Sequence, residues 1–198
     1  MRYTALLDAN VLVPYTLTDV LLRLAEAESY RPLWSAEVLV ETERTLAHMY
    51  PDVDSARFHD RLAAMDRSFT DASVTGWELL VESFDLPDPG DRHVVAAAVM
   101  GGADAIVTAN LNDFPDDALG AFDLVATHPD DFVLDQWDLN PDLAAQVLRD
   151  TATARQRPEV TVADVLGQLT RSGAPQFSAL AAAVLHPTTL RETHHLSD

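Results

Sequence analysis

Tyr3-Thr4-Ala5-Leu6-Leu7-Asp8-Ala9-Asn10 is a short apolar run that stops on a carboxylate, with an amide two residues further on. A run of this length, bounded by polar residues, reads as a β-strand. A second run, Ala105 to Thr108, has the same character and opens into a polar loop containing Asn110 and Asp113. If the two strands are neighbours in a parallel sheet, ligands bind at their carboxyl ends, and Asp8 and Asp113 point into one crevice.

Two more strand signals lie at Leu124–Thr127 and near Ala72–Thr75. Helical periodicity marks Asp19–Ser29, Ser35–Met49, Ser55–Ser68 and Arg92–Gly101, with Ser35 as an N-cap and Gly101-Gly102 as a stop. Strands alternating with helices predict an α/β fold: a mostly parallel central sheet covered by helices on both faces. After residue 135 the strand signals cease. Pro141–Ala154, Thr161–Thr170 and Pro175–Leu185 read as three helices, each opened by a proline or a capping residue, and Thr188–Asp198 reads as a polar, frayed tail. The expected organisation is therefore an α/β body over 1–135 and a small all-helical extension over 136–198.

Composition narrows the chemistry. The chain has 198 residues, no cysteine and a net charge of −19, and all 13 of its basic residues are arginine. Without cysteine there is no disulfide, thiolate nucleophile or thiolate zinc site, so any metal is held by oxygen or imidazole, and a hard cation such as Mg²⁺ or Mn²⁺ fits best. Without lysine there is no Walker A loop, Schiff-base enzyme or protein kinase. No apolar stretch is long enough for a membrane span and the first residues lead into a strand, so the expected location is cytoplasmic with no membrane partner. The acidity argues against indiscriminate nucleic-acid binding. A polyanion would require a metal in the cleft and arginines lining it.

Four carboxylates stand out. Asp8 ends its strand, and on its own it equally reads as the cap of a helix starting at Ala9 or Asn10. Glu41 lies in a helix beside Val38, Leu39 and Val40, at the expected border of the core, whereas Glu37 and Glu43 read as a solvated face. Asp91 follows the rigid turn Pro87-Asp88-Pro89-Gly90 and opens the nearly uncharged helix that runs through Ala96, Ala97 and Ala98. It can cap that helix and still offer an oxygen to a ligand. Asp88 is an accessory candidate, and Arg92 and His93 flank the site within reach of a phosphate. Asp113 follows Thr108 and Asn110, all three able to hydrogen-bond in the loop after the second strand. Like charges gathered at one place need a cation to be tolerable.

These four segments, in this order, resemble a PIN domain, the metal-dependent ribonuclease fold of VapC-type toxins. Leu7-Asp8-Ala9-Asn10 resembles its opening motif, Ser35 to Arg44 its glutamate-bearing helix, Asp91 to Ala98 its third acidic motif, and Thr108 to Pro115 its fourth. The likeness covers about residues 3–135 and is specific through joint occurrence. It implies a three-layer α/β/α fold and a divalent-metal-dependent endoribonuclease with Asp8 and Asp91 as direct ligands of Mg²⁺ or Mn²⁺. Glu41 and Asp113 would complete the pocket directly or through water, and Asn10, Thr108 and Asn110 would orient ligands or phosphate.

The implied partners are an RNA substrate, a cognate antitoxin and a second copy of the chain in a homodimer. The alternative is a catalytically inactive PIN-like scaffold that binds RNA or protein. A phosphohydrolase of the haloacid dehalogenase type fits poorly, because it would place a second aspartate where Asn10 stands.

Overall fold

The computed structural model describes residues 2–155 and 158–185. Five strands form one all-parallel sheet: β1 (Thr4–Leu7), β2 (Arg31–Ser35), β3 (Ser73–Val74), β4 (Ala105–Val107) and β5 (Val125–Thr127), in the order β3-β2-β1-β4-β5. β1 pairs with β2 on one side and with β4 on the other, so the chain reverses its direction of travel across the sheet at the β1/β4 seam. Such a switch point opens a crevice at the strands' carboxyl ends, and Asp8 and the loop after β4 both lie there.

Ten α-helices accompany the sheet among the described residues. α1 (Ala9–Leu12) and α2 (Tyr15–Glu26) follow β1, α3 (Ala36–Met49) and α4 (Ala56–Ser68) follow β2, α5 (Arg92–Gly101) precedes β4, and α6 (Asp116–Leu119) precedes β5. Then come α7 (Pro129–Leu139), α8 (Pro141–Thr153), α9 (Val162–Arg171) and α10 (Pro175–Leu185). α5 packs across β1 to β4, while α2 packs on β2 and carries α8 and α9, giving the three-layer α/β/α arrangement. The short 3-10 segment Trp77–Ser83 lies along α5.

β2 has no counterpart among the expected strands, and Pro32 explains why. A proline cannot donate to a sheet ladder and normally argues against a central strand. Here Arg31 N donates to Tyr3 O at 2.8 Å and Trp34 N to Ala72 O at 3.0 Å. Alternation therefore turns the Pro32 nitrogen toward β3, whose first partner on β2 is only Trp34. No ladder bond is lost.

Two other expectations shift. The helix expected at Asp19–Ser29 starts four residues earlier, at Tyr15, and α7 occupies a stretch for which no helix was expected and runs across residue 135. The expected cap at Ser35 forms, accepting from Val38 N at 3.2 Å; Asn140, just before Pro141, accepts from Leu143 N at 3.1 Å, and Thr161 forms a reciprocal capping box with Asp164. The tail expected to fray, Thr188–Asp198, lies outside the described residues.

The C-terminal helices do not form a separate core. Val147, Leu148, Val165, Leu169 and Phe177 are buried in the same apolar cluster as Leu6, Leu21 and Val95. Asp130, only 2% exposed, fixes the entry to α10: its two carboxylate oxygens accept from Gln176 N and Phe177 N, each at 2.9 Å. Among the described residues no helix is long and apolar enough to cross a membrane.

Candidate active site

Asp8 is 5% exposed and caps α1, its Oδ1 accepting from Ala9 N at 2.6 Å. The capping reading and the site reading hold together, because Oδ2 does separate work. It accepts from Asn10 Nδ2 at 2.6 Å and from the Thr108 hydroxyl at 2.7 Å. Thr108 Oγ1 in turn accepts from Asn10 Nδ2 at 2.9 Å and Asn110 N at 3.0 Å, while Asn10 Oδ1 accepts from Ala109 N at 3.0 Å. This network stitches the residues after β1 to those after β4, across the switch point. Asn110 Nδ2 also donates to Asp113, so the expected orienting groups Asn10, Thr108 and Asn110 all touch a carboxylate of the cluster.

Asp91 is held differently. It occupies the N-cap position of α5, yet its side chain makes no capping bond, and Asp88 serves that turn instead by accepting from Gly90 N at 2.7 Å. The Asp91 carboxylate is thus left to the crevice. Its pKa is pushed up to about 6, first by burial and then by the charges of Asp8, Asp113, Asp88 and Glu41. Asp8 is also raised, chiefly by burial, against the opposing hydrogen bonds from Thr108 and Ala9 and the positive influence of His93.

The structure therefore brings Asp8, Glu41, Asp91 and Asp113 into one electrostatic neighbourhood, with Asp88 at its edge. Glu41 is more open than expected. Val38 is buried, but Val40 is 47% exposed and the Glu41 side chain is 43% exposed, so it borders the cleft rather than the core. Its partner is His93, whose Nε2 lies 3.6 Å from Glu41 Oε2 and whose ring packs against Trp77. His93 thereby becomes a site residue in its own right. The signal was its place one helical step after Asp91-Arg92, read in the sequence only as flanking. Arg92 lies 3.8 Å from Glu82 and 3.7 Å from Asp85, so its charge is already engaged.

Among the described residues no group of three or more histidine, aspartate or glutamate side chains is gathered tightly enough to hold a metal ion as it stands. The donor chemistry nevertheless fits a hard divalent cation. The available atoms are carboxylate oxygens, and the Asp91 pKa is raised first by burial and then by the neighbouring carboxylates, whose repulsion a cation would relieve.

Comparison with known proteins follows this geometry. Residues 4–112, more than half of the chain, match the PIN domain family. The chain belongs to the PIN domain family. Residues 129–183 match the VapC50 C-terminal domain, so this PIN domain carries the helices of a VapC50-type C-terminal region. Over 91 residues the chain is 46% identical to the Putative ribonuclease VapC50 of Mycobacterium tuberculosis. That match covers 46% of this chain and 53% of the relative, so the chain spans about half the length of the curated protein it resembles. No solved structure matches the chain. The resemblance to VapC-type PIN domains read from the four acidic segments is thereby borne out.

Proposed function

We propose that this PIN domain is a divalent-metal-dependent endoribonuclease, the toxin of a type II toxin–antitoxin pair. The observation that supports this reading is that Asp8 and Asp113 follow the neighbouring strands β1 and β4, and that the charges of Asp8, Asp113 and Glu41 all act on Asp91. Asp8 and Asp91 would hold Mg²⁺, or Mn²⁺ in its place, and Glu41 and Asp113 would complete the acidic pocket directly or through water. The cation, when bound, supplies activation of water and neutralisation of phosphate charge.

The chain's own groups set up the reaction. Thr108 and Asn10 hold Asp8 Oδ2 by two short hydrogen bonds, which fixes the carboxylate before anything binds. Asp88 takes over the capping of its turn and leaves Asp91 available. Asn110 orients Asp113, and His93 lies against Glu41. In the hydrolysis, the oxygen of water bonds to phosphorus and the bond from phosphorus to the 3′-oxygen breaks, giving a 3′-hydroxyl and a 5′-phosphate.

The partners in this reading are an RNA substrate, a cognate antitoxin and a second copy of the chain as a homodimer, in the cytoplasm. A net charge of −19 suits an antitoxin segment that is basic where it meets the toxin. The test is incubation of total RNA with wild type and Asp8→Asn in Mg²⁺, Mn²⁺ and EDTA. Cleavage by the wild type alone, abolished by EDTA, is expected; equal cleavage by both proteins contradicts the assignment.

A further inference from the structure

In a chain this acidic, one small region carries an excess of positive charge. Tyr15, the first residue of α2, is 58% exposed, and two guanidinium groups lie over its ring: Arg61 from α4 at 5.2 Å and Arg155 from the end of α8 at 4.8 Å, measured from Cζ to the ring centroid. Arg155 Nη1 donates to Gln168 Oε1 at 2.7 Å and to Thr16 Oγ1 at 3.1 Å, and its Nη2 lies 3.6 Å from Asp19 Oδ2. That aspartate is shared, because Arg23 binds its other oxygen at 3.2 Å. Arg61 has no carboxylate partner among the described residues and donates instead to Leu12 O at 2.8 Å and Thr18 Oγ1 at 3.1 Å. Two guanidinium groups therefore share the Asp19 carboxylate, and a third, that of Arg61, has none.

Two further features call for an anion. Arg155 Nε is buried with no hydrogen-bond acceptor among the described residues, although a buried N–H normally has one, and Nη2 has only the Asp19 carboxylate at 3.6 Å. The 12-residue helix α2 begins at this same place without a side-chain cap, so the positive end of its dipole adds to the field. A surface groove of about 200 Å³, lined by Tyr15, Thr18, Arg61 and Ser68 together with the Asp19 carboxylate, opens beside Tyr15 and Arg61.

The position relates the cluster to the carboxylates. α1 starts at its cap Asp8 and ends at Leu12, the residue whose carbonyl Arg61 holds. At about 1.5 Å of rise per residue, the two ends lie about one helical turn apart. A single strand with one phosphodiester at Asp8 and Asp91 would reach the cluster with another further along its backbone.

We propose that Tyr15, Arg61 and Arg155 form a phosphate subsite for the RNA strand, and that one contribution of the C-terminal helices is to deliver Arg155 to it. The proposal rests on the nuclease reading and answers the difficulty that reading raises: how a chain of charge −19 keeps hold of a polyanion. Tyr15 orders both guanidinium groups and presents its hydroxyl, and Gln168 from α9 fixes Arg155 from behind.

The experiment uses the full chain with Asp8→Asn to prevent cleavage and a fluorescein-labelled single-stranded RNA in Mg²⁺, with affinity measured by anisotropy across a salt series. Arg155→Gln should weaken binding about tenfold, the scale of one lost charge-assisted hydrogen bond. It should also lower the slope of log affinity against log salt by about 0.7, the value for one lost phosphate contact. Arg155→Lys should retain the slope. Tyr15→Ala, at an exposed ring, should weaken binding about fivefold, the low end for aromatic contacts with a strand, and it carries the test if Arg155→Gln fails to fold.

Unchanged affinity and slope in the variants, or no RNA binding by the parent protein, overturns the subsite. Cleavage by the otherwise wild-type protein is read separately. If cleavage depends on Asp8 while Arg155→Gln binds normally, the subsite falls and the nuclease stands. If cleavage is absent while RNA affinity depends on Arg155, the nuclease falls and the subsite stands.

Discussion

Thr108 donates its hydroxyl to Asp8 Oδ2 at 2.7 Å, joining two residues one hundred positions apart in the chain. The contact exists because β1 and β4 are neighbours, and it fixes the buried carboxylate on which the proposed chemistry depends. Thr108→Val keeps the shape of this fully buried side chain but strands Asn110 N and leaves Asp8 one donor short. Urea denaturation should show a loss of about 1 to 3 kcal/mol, and RNA cleavage should fall by about 10- to 100-fold. Thr108→Ser should recover most of both.

Asp130 tests whether the C-terminal helices depend on the body. Asp130→Ala leaves two buried N–H groups at the start of α10 without their acceptor. The expected loss is about 1.5 to 3 kcal/mol, the range for hydrogen bonds to a charged group. Asp130→Asn, which keeps one acceptor oxygen, should lose less. Chemical denaturation followed by tryptophan fluorescence reads this directly, because Trp137 packs against Phe177 of α10 at 6.0 Å between ring centroids.

Gly101 closes α5 against the sheet. A Cβ there would meet Leu33 Cδ1 at 2.6 Å and Val74 Cγ2 at 2.9 Å, so β2 and β3 would have to give way. Gly101→Ala gains up to about 1 kcal/mol of helix propensity but incurs an overpacking cost of about 1 to 3 kcal/mol. Thermal denaturation should show net destabilisation; an unchanged or raised Tm would contradict the packing described.

The capping box of α9 gives a pH dependence. The Asp164 pKa is lowered below its usual value, first by the hydrogen bond from the Thr161 side chain and then by that from the Thr161 backbone. A carboxylate with a depressed folded pKa contributes stability above its unfolded pKa, about 3.9, and loses it as pH falls through the folded value. Wild type should therefore be more stable than Asp164→Ala at pH 6, and the difference in Tm should shrink steadily below pH 4. A difference that grows on acidification would contradict the assignment.

Much of this was legible in the sequence, for reasons that differ by residue. Asp8, Asp91 and Asp113 stand out in the sequence because each follows a strand or a rigid turn, where an acidic side chain is not explained by core packing. The two strands that flank the seam were visible as apolar runs, but that β1 and β4 are neighbours is shown by their pairing. β2 was hidden because Pro32 is tolerated only through the late start of β3, a fact of register that no local pattern contains. His93 was read as flanking because its partner Glu41 lies 52 positions earlier, on α3. The C-terminal helices were visible as helices, but their shared core with α2 was not. Amphipathic spacing shows that a face is buried and leaves open what buries it.

The central claim is that Asp8 and Asp91 together support divalent-metal cleavage of RNA. Its most direct measurement is the single-turnover cleavage rate of a labelled RNA as Mg²⁺ is raised, for wild type, Asp8→Asn and Asp91→Asn, each shown to be folded. The wild-type rate should rise and saturate with Mg²⁺, and each variant should be slower by about 100-fold or more, as expected when a ligand of the reacting centre is lost. A variant that matches the wild-type rate across the titration, or a wild type that cleaves equally well in EDTA, would contradict it.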